Sequence, residues 1–172
     1  MMLIHNIWLK VFCVLLCVHM TQIFVYGTLK RGQPNNYRMF DSANGKAKFL
    51  ASARTTREYP LVIASKYNVP FLLNIPGKGH RVEGEIYRVD DQMLTFLDDF
   101  ETVPTMYQRT LFKLEVLECA DGVEGLKVRS VTDAFVYSTE TYQPDWLSLP
   151  TYESYDSYGA HGLQYVLQEG RD

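Results

Sequence analysis

Apolar residues in this chain come in short runs broken by polar and glycine-bearing punctuation, and the spacing within each run predicts an element. Ile23, Phe24, Val25 and Tyr26 form a continuous run that stops at Gly27, the pattern of a buried strand bounded by a turn. Residues 49–56, 60–64 and 69–73 are further β-like runs separated by polar or proline-bearing breaks. From 82 to 89 the chain alternates, with Val82, Gly84, Ile86 and Arg88 on one face and Glu83, Glu85, Tyr87 and Val89 on the other. Such a strand has both faces in use. The period then changes. Met93, Leu94, Leu97 and Phe100 recur at helical spacing behind Asp90, and the run ends near Glu101, ahead of Pro104. With Asp90 as N-cap, this predicts an amphipathic helix of about three turns. Residues 110–117 and 131–137 return to strand character, joined through an acidic, glycine-containing loop at 121–125. Shorter helices are expected at 34–41, with a proline in the first turn, and from Pro144 onward. Residues 152–165, rich in Tyr, Ser and Gly, read as an ordered surface loop.

Strands outnumber helices, with no regular βαβ alternation, internal repeat or long linker. The pattern is α+β, and residues 20–172 are expected to form one domain. Residues 1–19 differ in kind. Their apolar stretch from Val11 to Val18 is shorter than the roughly 20 residues that span a membrane. Lys10 is their only charge, and no small-x-small cleavage pattern precedes Met20. They are read as a dispensable extension, with Met20 as a second possible start; a secretory signal is the competing reading.

Composition narrows the function. The 172 residues carry a net charge of −3, with 47% hydrophobic and 22% charged residues. Lys and Arg are scattered, whereas a nucleic-acid surface needs them clustered. Cys13 and Cys17 lie in the extension and Cys119 stands alone in the body, which excludes a disulfide framework or zinc spacing in the folded part. Cys119 is expected to be a small buried hydrophobe. His5, His19, His80 and His161 share no ligand spacing. No metal is expected.

Two places invite chemistry. After the strand at 23–26, Gly27 has no Cβ and lets the backbone turn or approach a ligand closely. Thr28 adds a hydroxyl, and a turn there leaves backbone N–H groups able to hold a carboxylate or an oxyanion. Many strands also end in Tyr-Gly for steric reasons alone. Further on, Asp98, Asp99 and Glu101 crowd the end of the predicted helix, where acids oppose the macrodipole. They form either a solvated terminus or a site. No Gly-x-Ser-x-Gly elbow or Cys–His arrangement offers a protein nucleophile.

The run Tyr26-Gly27-Thr28-Leu29-Lys30-Arg31-Gly32 resembles the signature loop of the γ-glutamylcyclotransferase-like family, which includes the AIG2-like proteins. Matching blocks follow in order: Tyr59-Pro60-Leu61-Val62, Val82-Glu83-Gly84-Glu85-Ile86-Tyr87, Leu97-Asp98-Asp99-Phe100-Glu101 and Tyr107-Gln108-Arg109. Ser154-Tyr155-Asp156-Ser157 and His161-Gly162-Leu163 complete the set. The resemblance implies a small mixed β-barrel with flanking helices. It also implies a cofactor-free reaction in which the substrate's own α-amino group attacks its γ-carbonyl, giving 5-oxoproline and a free amine.

By the same resemblance, Tyr26, Gly27, Thr28 and Leu29 hold the γ-glutamyl moiety and Glu101 is the acid/base. Glu83 and Glu85 are the rival carboxylates, expected to be in structural pairs. Tyr107 and Arg109 are expected as a wall residue or ion-pair partner, and Tyr155, Asp156 and His161 as groups shaping the pocket. An α-ammonium titrates near ~8 and an ordinary Glu near ~4.3, so direct transfer is uphill by roughly 5 kcal/mol. A base raised by burial removes most of that penalty.

The match is best to the amine-releasing branch, which implies γ-glutamyl-ε-lysine, the isopeptide left from degraded transglutaminase crosslinks, as the small-molecule substrate. A γ-glutamyl-amino-acid or glutathione cyclotransferase, or a non-catalytic binding module of the same fold, are the alternatives. A cytosolic monomer with no nucleic-acid or membrane partner is expected.

Overall fold

The computed structural model describes residues 20–167. Five strands close into a barrel: β1 (Thr21–Val25), β2 (Ala47–Thr55), β5 (Glu83–Val89), β6 (Gln108–Cys119) and β7 (Val131–Ser138). Their order around the barrel is β1-β5-β2-β6-β7, with β1 returning to β7. Every pairing is antiparallel except that closing one, where Ile23 lies opposite Phe135 and Phe24 opposite Val136. A separate hairpin of β3 (Leu61–Ala64) and β4 (Val69–Leu72) and one α-helix, α1 (Asp91–Phe100), accompany the barrel among the described residues. The small mixed barrel implied by the resemblance is therefore present.

Alternation along the strands creates two apolar layers. Phe24, Ile86, Phe112, Leu114, Val116, Ala134 and Val136 belong to one buried cluster. The intervening residues Ile23, Val25, Tyr87, Val89 and Tyr137 belong to a second, together with Met93 and Leu97 of α1. Because the helix packs into it, the second cluster is the outer layer. This explains why β5 needs both faces: Gly84 through Tyr87 are all buried. Gly84 itself lets β1 come close, since a Cβ there would lie 2.4 Å from the Val25 carbonyl oxygen and 2.6 Å from the Phe24 ring.

Some expected elements differ in extent. The helix expected at 34–41 is a single 3₁₀ turn, Asn36–Met39. Its polar side chains are otherwise engaged: Asn35 Nδ2 donates to Thr28 Oγ1 (3.0 Å) and Asn36 Nδ2 to the Leu29 carbonyl (2.8 Å). Side-chain bonds of that kind compete with a regular helix. The helix from Pro144 is likewise a 3₁₀ segment, Pro144–Ser148. Cys119 ends β6 half-buried and free, and packs against the inner cluster without being enclosed by it. The expectations for residues 1–19 lie outside the described residues. Among the described residues, no helix is long and apolar enough to cross a membrane, and no group of three or more His, Cys, Asp or Glu could hold a metal ion.

Candidate active site

Several chain segments converge on a cavity of about 240 Å³. The end of β1 and the following turn give Tyr26, Gly27, Thr28 and Leu29; the end of α1 gives Phe100 and Glu101; and β4 gives Val69, Pro70 and Phe71. The loop residues and Glu101 singled out in the sequence, 75 positions apart at their extremes (101 minus 26), thus face one space.

The helix end is built to deliver Glu101. Asp90 caps the N-terminus, its carboxylate accepting from the Met93 amide at 2.9 Å. At the other end Val103 N–H donates to the Asp98 carbonyl (2.9 Å) and Thr102 N–H to the Asp99 carbonyl (3.1 Å). With Thr102 in the left-handed region at φ 55°, this is a Schellman closure. Glu101 sits one residue before the reversal. The three crowded acids then part company. Asp98 accepts from Arg109 Nη1 through both oxygens (3.1 and 2.9 Å) and from the Tyr137 hydroxyl (2.8 Å). Asp99 is exposed, and Glu101 lines the cavity.

Among the described residues, Glu101 is the single charged one in the cavity wall. No hydrogen bond of the described residues ends on its carboxylate, and among the described residues burial alone shifts it, with no cation's charge acting on it. Although it keeps some accessible surface, it is densely surrounded by protein, and this burial pushes its pKa up to about 8. Desolvation disfavours the ionised form and nothing here compensates. The same environment holds the Tyr26 phenol well above its ordinary range, first through burial and then through the charge of Glu101.

Tyr26 also ties the wall together. Its hydroxyl donates to the Tyr137 carbonyl (2.7 Å) and accepts from the Leu72 amide (3.2 Å), joining β1, β7 and β4. Gly27 has no positive φ; its lack of a Cβ serves packing, because a Cβ there would lie 2.8 Å from Pro70 Cγ. Thr28 is nearly buried, its hydroxyl oxygen accepting from Asn35. Among the hydrogen bonds of the described residues, none has the N–H of Thr28 or Leu29 as donor. Thr28 and Leu29, which carry these two N–H groups, line the same cavity as Glu101.

The rival carboxylate Glu85 is spoken for. It accepts from the Arg31 amide (3.0 Å), Arg31 Nε (2.9 Å) and the Tyr87 hydroxyl (2.9 Å). Tyr107 is a wall residue whose hydroxyl donates to the Pro70 carbonyl (2.9 Å), and Arg109 is the ion-pair partner of Asp98.

The C-terminal expectation needs correction. Tyr155, Asp156 and His161 do not line the cavity. Tyr155 is buried in the inner cluster, and Asp156 accepts from Gln33 Nε2 and the Tyr158 amide. His161 packs edge-on to Tyr152. Tyr165 of the same segment reaches the cavity instead, as do Tyr67, Met106 and Tyr137. Tyr137 is an aromatic on the outer face of a predicted strand, a faint signal in the sequence. Tyr165 carries none.

A family model described as gamma-glutamyl cyclotransferase, AIG2-like, matches residues 23–157. The chain belongs to this family. A mouse (Mus musculus) gamma-glutamylaminecyclotransferase is 56% identical over 153 residues, covering 88% of this chain and all of the relative. The human (Homo sapiens) protein of that name is 52% identical, with 88% and 100% coverage. Among solved structures, a crystal structure of a mouse AIG2-like protein superposes with a TM-score of 0.82 at 55% identity, covering 89% of this chain and 99% of that one. The γ-glutamyl cyclotransferase matches span the barrel, the signature turn and Glu101 alike.

Proposed function

We propose that this protein is a γ-glutamylamine cyclotransferase that converts γ-glutamyl-ε-lysine to 5-oxoproline and free lysine. The observation that carries this reading is a lone carboxylate, raised to about 8 by burial, on the same cavity wall as free backbone donors at a strand end. The names of the relatives point the same way.

The substrate's α-nitrogen forms a bond to its γ-carbon while the bond from that carbon to the amine nitrogen breaks. Two protons leave the α-ammonium nitrogen as it becomes the ring N–H, and two reach the departing nitrogen, which leaves as an ammonium. Glu101 relays them in turn, the first to free the nucleophile and the second as the ring closes, so no water or external reductant enters. An α-ammonium titrates near ~8, close to the raised value of Glu101, so the first transfer is nearly thermoneutral instead of roughly 5 kcal/mol uphill. The amides of Thr28 and Leu29 are the donors for the α-carboxylate or for the oxyanion that develops as the ring closes. Holding the chain folded supplies the entropic part of the acceleration.

The wall chemistry supports an amine leaving group. A γ-glutamyl-α-amino acid carries a carboxylate next to the scissile nitrogen, which would enter a cavity whose one charged wall residue is already an acid. In low dielectric that carboxylate would further disfavour the ionised form of Glu101, the form that accepts the proton. Among the described residues the one cysteine, Cys119, is free, which fits a reducing compartment such as the cytosol, and the protein is taken to work there as a monomer. The catalytic unit is taken to begin near Met20.

Incubation with γ-glutamyl-ε-lysine and with γ-glutamyl-alanine, assaying 5-oxoproline, tests the reading. Turnover of the first well above the second is expected; turnover of neither would refute it.

A further inference from the structure

The stretch from 152 to 167 has almost no regular structure, yet it is fastened at successive points. Ser157 is 1% exposed, and its amide donates to Gln33 Oε1 (2.8 Å) just past the signature turn. Asn68 Nδ2 donates to the Gln164 carbonyl (2.8 Å), Tyr165 N–H to Ser157 Oγ (2.9 Å), and Val166 N–H to the Tyr67 carbonyl (3.0 Å). Three consecutive residues are thereby pinned between the signature turn and the β3–β4 turn. Tyr165, the middle one, is buried to 9% and faces the cavity beside Tyr67.

Exposure identifies the ends of this cavity. Phe24, Val25, Tyr26 and Leu29 are buried, whereas Ser65 and Met106 are exposed and Tyr67 and Val69 are half-buried. If the γ-glutamyl group occupies the end formed by the signature turn and Glu101, the other half of the substrate extends toward the Tyr67, Met106 and Tyr165 side.

We propose that Tyr165 is a specificity-determining residue whose ring packs along the carbon chain of the departing amine, so that the C-terminal segment selects amines with an extended aliphatic stem. The inference rests on the cyclotransferase reading. An aromatic wall suits a methylene chain by apolar burial. A methylamine leaving group is too short to use it.

The test compares kcat/KM of the full chain on γ-glutamyl-ε-lysine and on γ-glutamylmethylamide, for wild type, Tyr165→Ala and Tyr165→Phe. Tyr165→Ala is expected to lose about tenfold or more on the lysine substrate, mainly through KM, and less than about threefold on the methylamide. Tyr165→Phe should keep the wild-type ratio, since the ring is retained. Equal losses on both substrates, or none on either, would overturn the proposal. Should Tyr165→Ala fail to fold, Tyr165→Ser in its place is read by the same ratio. Wild type inactive on both substrates would instead sink the underlying cyclotransferase reading.

Discussion

A carboxylate placed in an apolar cavity at the negative end of a helix dipole is costly to the fold, and that cost makes Glu101 testable in two ways. Glu101→Gln keeps the shape but cannot accept a proton, so turnover should fall about 10²–10⁴-fold while 5-oxoproline still binds. The stability prediction has a definite sign. Raised above its unfolded value of ~4.3, the folded-state group at about 8 binds a proton more tightly than the unfolded chain does. Below pH ~4.3 both states are protonated and nothing is lost. As pH rises toward about 8, wild-type stability falls by at most about 1.4 kcal/mol per pH unit from this group, then levels off. The Gln variant lacks this dependence. Its melting temperature relative to wild type should therefore rise from pH 5 to pH 8; a constant difference would show that Glu101 is not desolvated. Gly27 makes the second prediction at this scale. Gly27→Val places a branched carbon against Pro70 Cγ, which a single added Cβ would already approach to 2.8 Å. Affinity for 5-oxoproline, measured by calorimetry, should drop about tenfold or more as β4 and the wall are displaced. Unchanged affinity would remove the turn from the binding site.

Among the elements, α1 ends in a strained reversal. Thr102 is β-branched, exposed and left-handed at φ 55°, a conformation that disfavours a Cβ by about 1–2 kcal/mol. Replacing it by glycine relieves that strain but adds unfolded-state freedom of about 0.4–1 kcal/mol. Thr102→Gly should therefore gain between nothing and about 1.6 kcal/mol in chemical denaturation, with turnover little changed because the carbonyl acceptors of the Schellman closure remain. A loss of stability would mean that the threonine side chain holds the turn. This helix also shows what the sequence could and could not convey. Its span, its Asp90 cap and its end beside Glu101 were legible because a 3.6-residue apolar period and a capping acid are local signals. The separate fates of Asp98, Asp99 and Glu101 were not, since they depend on Arg109 and Tyr137, brought in by β6 and β7. The shortened turn at Asn36–Met39 was illegible for the same reason: Asn35 and Asn36 spend their amides on the signature turn.

At the scale of the whole molecule, the barrel decides which parts of the chain are indispensable. Strand content and the absence of βαβ order pointed to an α+β fold, but closure by a parallel β1–β7 pair joins residues more than a hundred positions apart, and no local pattern announces it. The same holds for the C-terminal segment, where Tyr165 has no periodic context and acquires its place only through Tyr67, Asn68 and Ser157. Closure leads to the last prediction. β1 begins at Thr21, already buried to 8% and opposite Val89 of β5. A chain starting at Met20 retains every β1 partner, including the closing contacts of Ile23 with Phe135 and Phe24 with Val136. It should fold, melt cooperatively and turn over γ-glutamyl-ε-lysine at the rate of the full chain. A chain starting at Phe24 loses the fully buried Ile23 and half the closing pairs. Removing a buried Ile side chain alone typically costs about 2–5 kcal/mol, a large part of a domain's stability, so that shorter chain should be largely unfolded by circular dichroism. If the Met20 chain lost solubility or activity, residues 1–19 would have to be counted as part of the working domain.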